Sequence, residues 1–151
     1  MSQAGRSALR WGAAPNGIAH TAGMSPKTVL IVDDHDFIRE AYALILEQCG
    51  YNVLQAANGG DAIRIVRERH PDLVLMDLAM PVVDGLEAAE SLKQYPDTAA
   101  IPIIGITANS FVTERERMRR ICDAFLLKPC SPKELLAEIG RFTEPAAATG
   151  S

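Results

Sequence analysis

No apolar run in the sequence approaches the ~20 residues that a membrane-spanning helix needs, so membrane insertion is not expected. Residues 1–26 also lack the continuous apolar segment of a secretory signal. Cysteine is scarce and odd in number (Cys49, Cys122 and Cys130), with no pair at metal-ligand spacing. A disulfide framework is therefore excluded, and a reducing cytoplasm is the expected location. Basic excess is absent too. The formal net charge is −4, and residues 1–26 hold Arg6 and Arg10 without an acid, which leaves −6 on the remainder. A surface of that sign is a poor match for the phosphate backbone, so direct nucleic-acid binding is not expected.

What is present suits one globular domain: 151 residues, 48% hydrophobic and 23% charged. Residues 1–26, rich in Ala, Gly and Ser and without apolar period, read as a disordered N-terminal tail. Met24 is a candidate start of translation, since the folded pattern begins at Lys27. Residues 27–142 read as the folded domain and 143–151 as a flexible C-terminal tail, with no second domain.

From Thr28 the chain alternates strand and helix. Short apolar runs at Thr28–Val32, Tyr51–Gln55, Leu73–Met76, Ile101–Ile106 and Ala124–Leu127 read as strands. Between and after them lie helical stripes: Ile38, Tyr42, Ile45, Leu46 and Cys49, closed by Gly50; Ala62, Ile65 and Val66 after an Asn58-Gly59-Gly60 turn; Leu86 to Leu92, closed by Pro96; Met118 and Ile121; Leu135, Leu136 and Ile139. Asp84 with Glu87, Thr113 with Glu116, and Ser131 with Glu134 have capping-box spacing, and Pro132 suits a first helical position. Five βα units of this kind imply an α/β fold, doubly wound, with a five-stranded parallel sheet covered on both faces. In a 2-1-3-4-5 strand order, ligands bind beyond the carboxyl ends of the strands, at the switch point.

Chemistry-bearing residues stand at that edge. Asp33 and Asp34 follow the first strand, Asp77 ends the third, Thr107 the fourth and Lys128 the fifth. Three convergent carboxylates repel one another, and a hard divalent cation such as Mg2+ relieves that repulsion. With a lysine and a hydroxyl nearby, the set could stabilise a phosphoryl group while Asp77 acts as nucleophile. Taken singly, each residue has an ordinary reading: a helix cap for Asp33-Asp34, a turn residue for Asp77, a strand-end hydroxyl for Thr107, a solvated amine for Lys128. The functional reading rests on their meeting at one edge.

Val29-Leu30-Ile31-Val32-Asp33-Asp34 resembles the opening of response-regulator receiver domains. Asp77-Leu78-Ala79-Met80-Pro81 with Asp84-Gly85 resembles the family's phosphorylation loop, Ile106-Thr107-Ala108 its switch-threonine segment, and Leu127-Lys128-Pro129 its lysine with a proline usually in a cis bond. The resemblance covers about Lys27 to Phe142 and implies a flavodoxin-like (βα)5 fold, that of a stand-alone, chemotaxis-regulator-like receiver. It implies that Asp77 takes a phosphoryl group from a histidine kinase or histidine phosphotransfer protein. Mg2+ would be held by Asp34, Asp77 and the Ala79 backbone carbonyl, with Asp33 acting through water. Thr107 and Lys128 would bind phosphoryl oxygens, and Phe125 would be the aromatic switch, with a plain core aromatic as its alternative. Output would pass to a downstream protein target, for which the basic fourth helix (Arg115, Arg117, Arg119, Arg120) is either a docking face or simply a solvated one.

The chain departs from the family at several places. Ile121-Cys122 replaces a Gly-Ala pair, Cys130 replaces a large aromatic, and Ala79 and Asn109 put no charge beside the phosphoryl position. His35 follows the acidic pair and is read as a solvated first-turn residue that could tune the pocket; His20 and His70 carry no signal. A phosphorylation-independent binding module remains the main alternative. A haloacid-dehalogenase-type aspartyl phosphatase would need a second aspartate two residues after the nucleophile, where Ala79 stands.

Overall fold

A computed structural model describes residues 25–78, 85–108 and 112–143. Five strands, β1 (Thr28–Val32), β2 (Asn52–Ala56), β3 (Leu73–Asp77), β4 (Ile103–Thr107) and β5 (Ala124–Leu127), alternate with five helices. These are α1 (Asp36–Gln48), α2 (Gly59–Arg69), α3 (Gly85–Gln94), α4 (Val112–Ile121) and α5 (Pro132–Thr143). All strand pairs are parallel, in the order β2-β1-β3-β4-β5.

The continuous apolar runs have a direct cause: β3 and β4 are buried along their whole length. Successive side chains of a strand point to opposite faces. Leu73 and Leu75 therefore pack with Ala43 and Leu46 of α1 and with Leu135 and Ile139 of α5. Val74 and Met76 pack on the other face with Ala62, Val66, Ala88, Ala89, Leu92 and Met118 of α2, α3 and α4.

Helix ends follow the expected chemistry in part. Gly50 takes the left-handed conformation (φ 95°) that lets the chain leave α1. Ser131 and Glu134 form a reciprocal capping box, with N···O separations of 2.9 and 3.1 Å. Asn58 is not part of a free turn. Its side chain accepts the Asp61 N–H at 2.8 Å, which makes it the N-cap of α2 and puts Gly59 and Gly60 inside the helix. Thr113 is the second residue of α4 rather than the residue before it, and Asp84 lies outside the described residues. β4 starts at Ile103 because Pro102 has no N–H to give the ladder; its carbonyl instead accepts the Val74 N–H at 3.0 Å. Thr143, read as tail, closes α5: its hydroxyl donates to the Ile139 carbonyl at 2.9 Å and lies 3.0 Å from the Tyr51 hydroxyl.

The amino ends of the strands are tied by charged groups. Asp72 Oδ2 accepts the Thr28 N–H at 2.8 Å. Asp123 Oδ2 accepts the Ile103 N–H at 2.8 Å and also holds Lys93 Nζ at 2.8 Å. Lys93 donates further to the carbonyls of Ala99 (3.2 Å) and Ile101 (3.0 Å). Cys122, which ends the turn of chain after α4, is buried; burial first and the Asp123 charge second push its thiol up to about 12.

Candidate functional site

The carboxyl ends of β1, β3, β4 and β5 place Asp33, Asp34, Asp77, Thr107 and Lys128 together. Asp33 continues β1: its N–H donates to the Ala56 carbonyl at 3.1 Å, and the residue is 3% exposed. Asp77 is the last residue of β3, paired with Ile106 of β4, and is buried. Thr107, also buried, pairs with Leu127, and its carbonyl accepts the Lys128 N–H at 2.8 Å. Lys128 Nζ stands 3.5 Å from Asp77 Oδ2, and the Lys128–Pro129 peptide bond that follows is cis, as expected.

Two buried carboxylates and the half-buried Asp34 are faced by one lysine among the described residues, so the cluster holds more negative than positive charge. One ligand atom from each of Asp33, Asp34, His35 and Asp77 lies within 4.8 Å of the others. Asp34 Oδ1 is buried and has no hydrogen-bond partner. A buried carboxylate oxygen without a donor is costly, and a hard cation with a preference for oxygen ligands satisfies it. The donor set therefore fits Mg2+. The Ala79 carbonyl, expected as a further ligand, lies outside the described residues, as does Asn109.

Arg39 and Tyr42 were not legible as site residues, whereas His35 was read as able to tune the pocket and Phe125 as the switch. Arg39 on α1 is nearly buried; its guanidinium donates to the Asp33 carbonyl (2.8 Å), the Gln55 side chain (3.0 Å) and Asp36 (2.7 Å). It thereby fixes the backbone that presents the acidic pair. The one sequence signal was the Asp36–Arg39 spacing. His35, expected as a solvated residue, is the N-cap position of α1; its ring is largely exposed, yet its Nδ1 faces Asp33 Oδ1 at 3.1 Å and Asp34 Oδ1 at 3.2 Å. Tyr42 approaches Cys130 Sγ at 3.9 Å, and its phenol is pushed up to about 12 by burial, then by Cys130 and by the charges of Asp33 and Asp77. Gly85, first residue of α3, lies against the backbone of Asp77: a Cβ there would stand 1.8 Å from the Asp77 carbonyl oxygen. Phe125 pairs with Gly105 and is partly buried against the α2–α3–α4 face.

A family model, the response regulator receiver domain, matches residues 29–140. The chain belongs to the response-regulator receiver family. As a receiver domain it is a component of two-component signalling, a family in which phosphorylation on aspartate is typical. It is similar to the polar-differentiation response regulator DivK of Brucella anthropi, 36% identical over 118 residues, covering 78% of this chain and 96% of DivK. The DivK of Brucella ovis is 35% identical over 117 residues, covering 77% of this chain and 95% of DivK. Among solved structures, Vibrio cholerae CheY4 superposes with a TM-score of 0.73 at 27% identity, covering 78% of this receiver and 98% of CheY4. The receiver domain of the Pseudomonas aeruginosa sensor kinase PA1611, TM-score 0.71 and 29% identity over 78% of this chain and 97% of that one, carries a magnesium ion in its active-site cleft. The strand order and the helices between the strands match this CheY-like, flavodoxin-type fold. Receivers of this kind interact with histidine kinases and downstream proteins. No helix among the described residues is long and apolar enough to cross a membrane.

Proposed function

We propose that Asp77 accepts a phosphoryl group from a histidine kinase or histidine phosphotransfer protein, and that the phosphorylated cytoplasmic protein signals through contacts with a downstream protein. The receiver unit is residues 27–143, one residue longer than the 27–142 expected from the sequence, because Thr143 closes α5. The observation that carries this reading is the buried Asp77 carboxylate 3.5 Å from Lys128 Nζ, beside Asp33 and Asp34. Asp33, Asp34, Asp77 and the Ala79 carbonyl would hold Mg2+, which supplies positive charge for the phosphoryl oxygens.

An Asp77 carboxylate oxygen attacks phosphorus, forming the acyl phosphate as the bond from phosphorus to the donor nitrogen breaks and that nitrogen leaves with the electron pair. Lys128 then neutralises a phosphoryl oxygen instead of Asp77, and the Thr107 hydroxyl donates to another. Because Thr107 pairs with Leu127 and the neighbouring Gly105 with Phe125, a shift of Thr107 toward the phosphoryl group frees space that the Phe125 ring can take up. That exchange would carry the signal to the α4–β5 surface. Ala79 and Asn109 bring no charge of their own, so the lifetime of the acyl phosphate is not tuned by a charged residue at either position.

The test is intact mass after incubation with Mg2+ and a small acyl-phosphate donor, for wild type and Asp77→Asn. Wild type should gain one phosphoryl group and the variant none. No gain in either would replace this reading with a phosphorylation-independent binding module.

A further inference from the structure

Arg39 reaches the acidic site from behind, through the main chain. Its side chain is 12% exposed, and each guanidinium nitrogen has an acceptor on a different segment. Nη1 donates to the Asp33 carbonyl at 2.8 Å, just past β1. Nε donates to Gln55 Oε1 on β2 at 3.0 Å, and Nη2 to Asp36 Oδ1 at the start of α1 at 2.7 Å. The Asp33 carbonyl shares one planar peptide unit with the Asp34 N–H. Holding that oxygen therefore fixes the backbone from which the Asp34 side chain leaves. Asp34 Oδ1 is buried without a hydrogen-bond partner, so the main chain is what places it. The His35 ring 3.2 Å away is largely exposed and is itself anchored on Asp33. Asp33 has separate holds: its N–H on the Ala56 carbonyl (3.1 Å), and its Oδ1, which accepts the His35 N–H at 2.8 Å.

We infer that Arg39 is a positioning residue that sets Mg2+ affinity: it locks the Asp33–Asp34 peptide to β2 and α1, and so keeps Asp34 in place for the cation. The role rests on the reading of the acidic site as an Mg2+ site. Its sign separates it from a simple charge effect. A guanidinium acting only through its charge would repel Mg2+, and removing it would tighten binding. A guanidinium that positions Asp34 does the opposite: once it is lost, the freed peptide must be ordered again each time the ion binds. Lysine keeps the charge but not the planar fork, so it cannot span the three acceptors.

The experiment is Mg2+ titration of the full chain, followed by backbone amide NMR, for wild type, Arg39→Met and Arg39→Lys. Hydrogen exchange is measured alongside in metal-free protein. Both variants should bind Mg2+ about tenfold or more weakly, the scale on which groups that orient metal ligands act. The His35 N–H should exchange faster in both, while the amides of β3 exchange as in wild type. Unchanged or tighter Mg2+ binding by Arg39→Met overturns the positioning role, and so does wild-type affinity in Arg39→Lys. If Arg39→Met does not fold, Arg39→Lys decides alone. Faster exchange of the β3 amides by the same factor as His35 also overturns it, since the loss is then global. Absence of Mg2+ binding by wild type overturns this role together with the metal site beneath it.

Discussion

Gly85→Ala should damage stability and phosphorylation together. The added methyl would stand 1.8 Å from the Asp77 carbonyl oxygen and 2.7 Å from the Asp77 carbonyl carbon and Leu78 Cα. All three are backbone atoms, and β3 is held on both sides by ladders to β1 and β4. A separation of 3.0 Å is the least that such contacts show, so the start of α3 must retreat by 1.2 Å or more. Leu86, Ala88, Ala89 and Leu92 would move with it, although all are buried in the core. Overpacking costs reach about 3 kcal/mol, and a domain of this size loses roughly 4 °C of Tm per kcal/mol, so a fall of about 10 °C is expected. The displaced atoms adjoin the carboxylate proposed to take the phosphoryl group, and a ~1 Å misplacement costs about a hundredfold in rate. Thermal unfolding and the initial rate of phosphoryl uptake measure the two effects. Gly105→Ala is the control, since its methyl would meet chiefly the tip of the Leu78 side chain, at 2.6 Å, which can swing aside. Equal Tm values for wild type and Gly85→Ala, or a larger loss in Gly105→Ala, would refute the argument from close approach.

Other consequences concern the amino edge of the sheet. Lys93→Met leaves the Ala99 and Ile101 carbonyls and Asp123 short of a donor, and should cost about 1–2 kcal/mol by urea unfolding, less than full burial would imply because both charges reach solvent. An unchanged midpoint would mean that water replaces the ammonium without loss. Cys122 sets a pH dependence: its thiol is raised in the fold, so its contribution is complete below about pH 9 and disappears as pH climbs from 9 toward 12, where the unfolded chain ionises first. Alkylation of native protein near pH 8 should therefore modify Cys49 and spare Cys122, with Cys122 reacting only in denaturant; rapid native modification of Cys122 would contradict its burial.

Much of the fold could be read along the chain because strands buried on both faces are continuous apolar runs, and each site residue stands directly after one. Asp33, Asp77, Thr107 and Lys128 were therefore legible as a set before any contact was known. Features that depend on meeting in space were not. Lys93 and Asp123 are 30 residues apart and carry no mutual signal. The inward turn of His35 follows from the backbone angle of one cap residue, and the closeness of Gly85 to Asp77 from how a helix lands on a strand. Asn58 misled because Asn-Gly-Gly suits a turn and a helix N-terminus alike, and only the accepted Asp61 N–H separates them.

The latch of Lys93 and Asp123 has a consequence for how this sequence tolerates change. It clamps the amino ends of β4 and β5 through backbone groups, while the carboxyl ends of the same strands carry Thr107 and Lys128. Each strand is only four or five residues long, so a residue's distance along it sorts it toward one duty or the other. Scored for abundance in cells and, separately, for phosphoryl uptake, substitutions should divide along the strand axis. Losses at the amino edge would appear in both scores, and losses at the carboxyl edge in uptake alone. Drift in partner choice and signal lifetime can then accumulate at one end of the sheet without eroding the foldedness secured at the other.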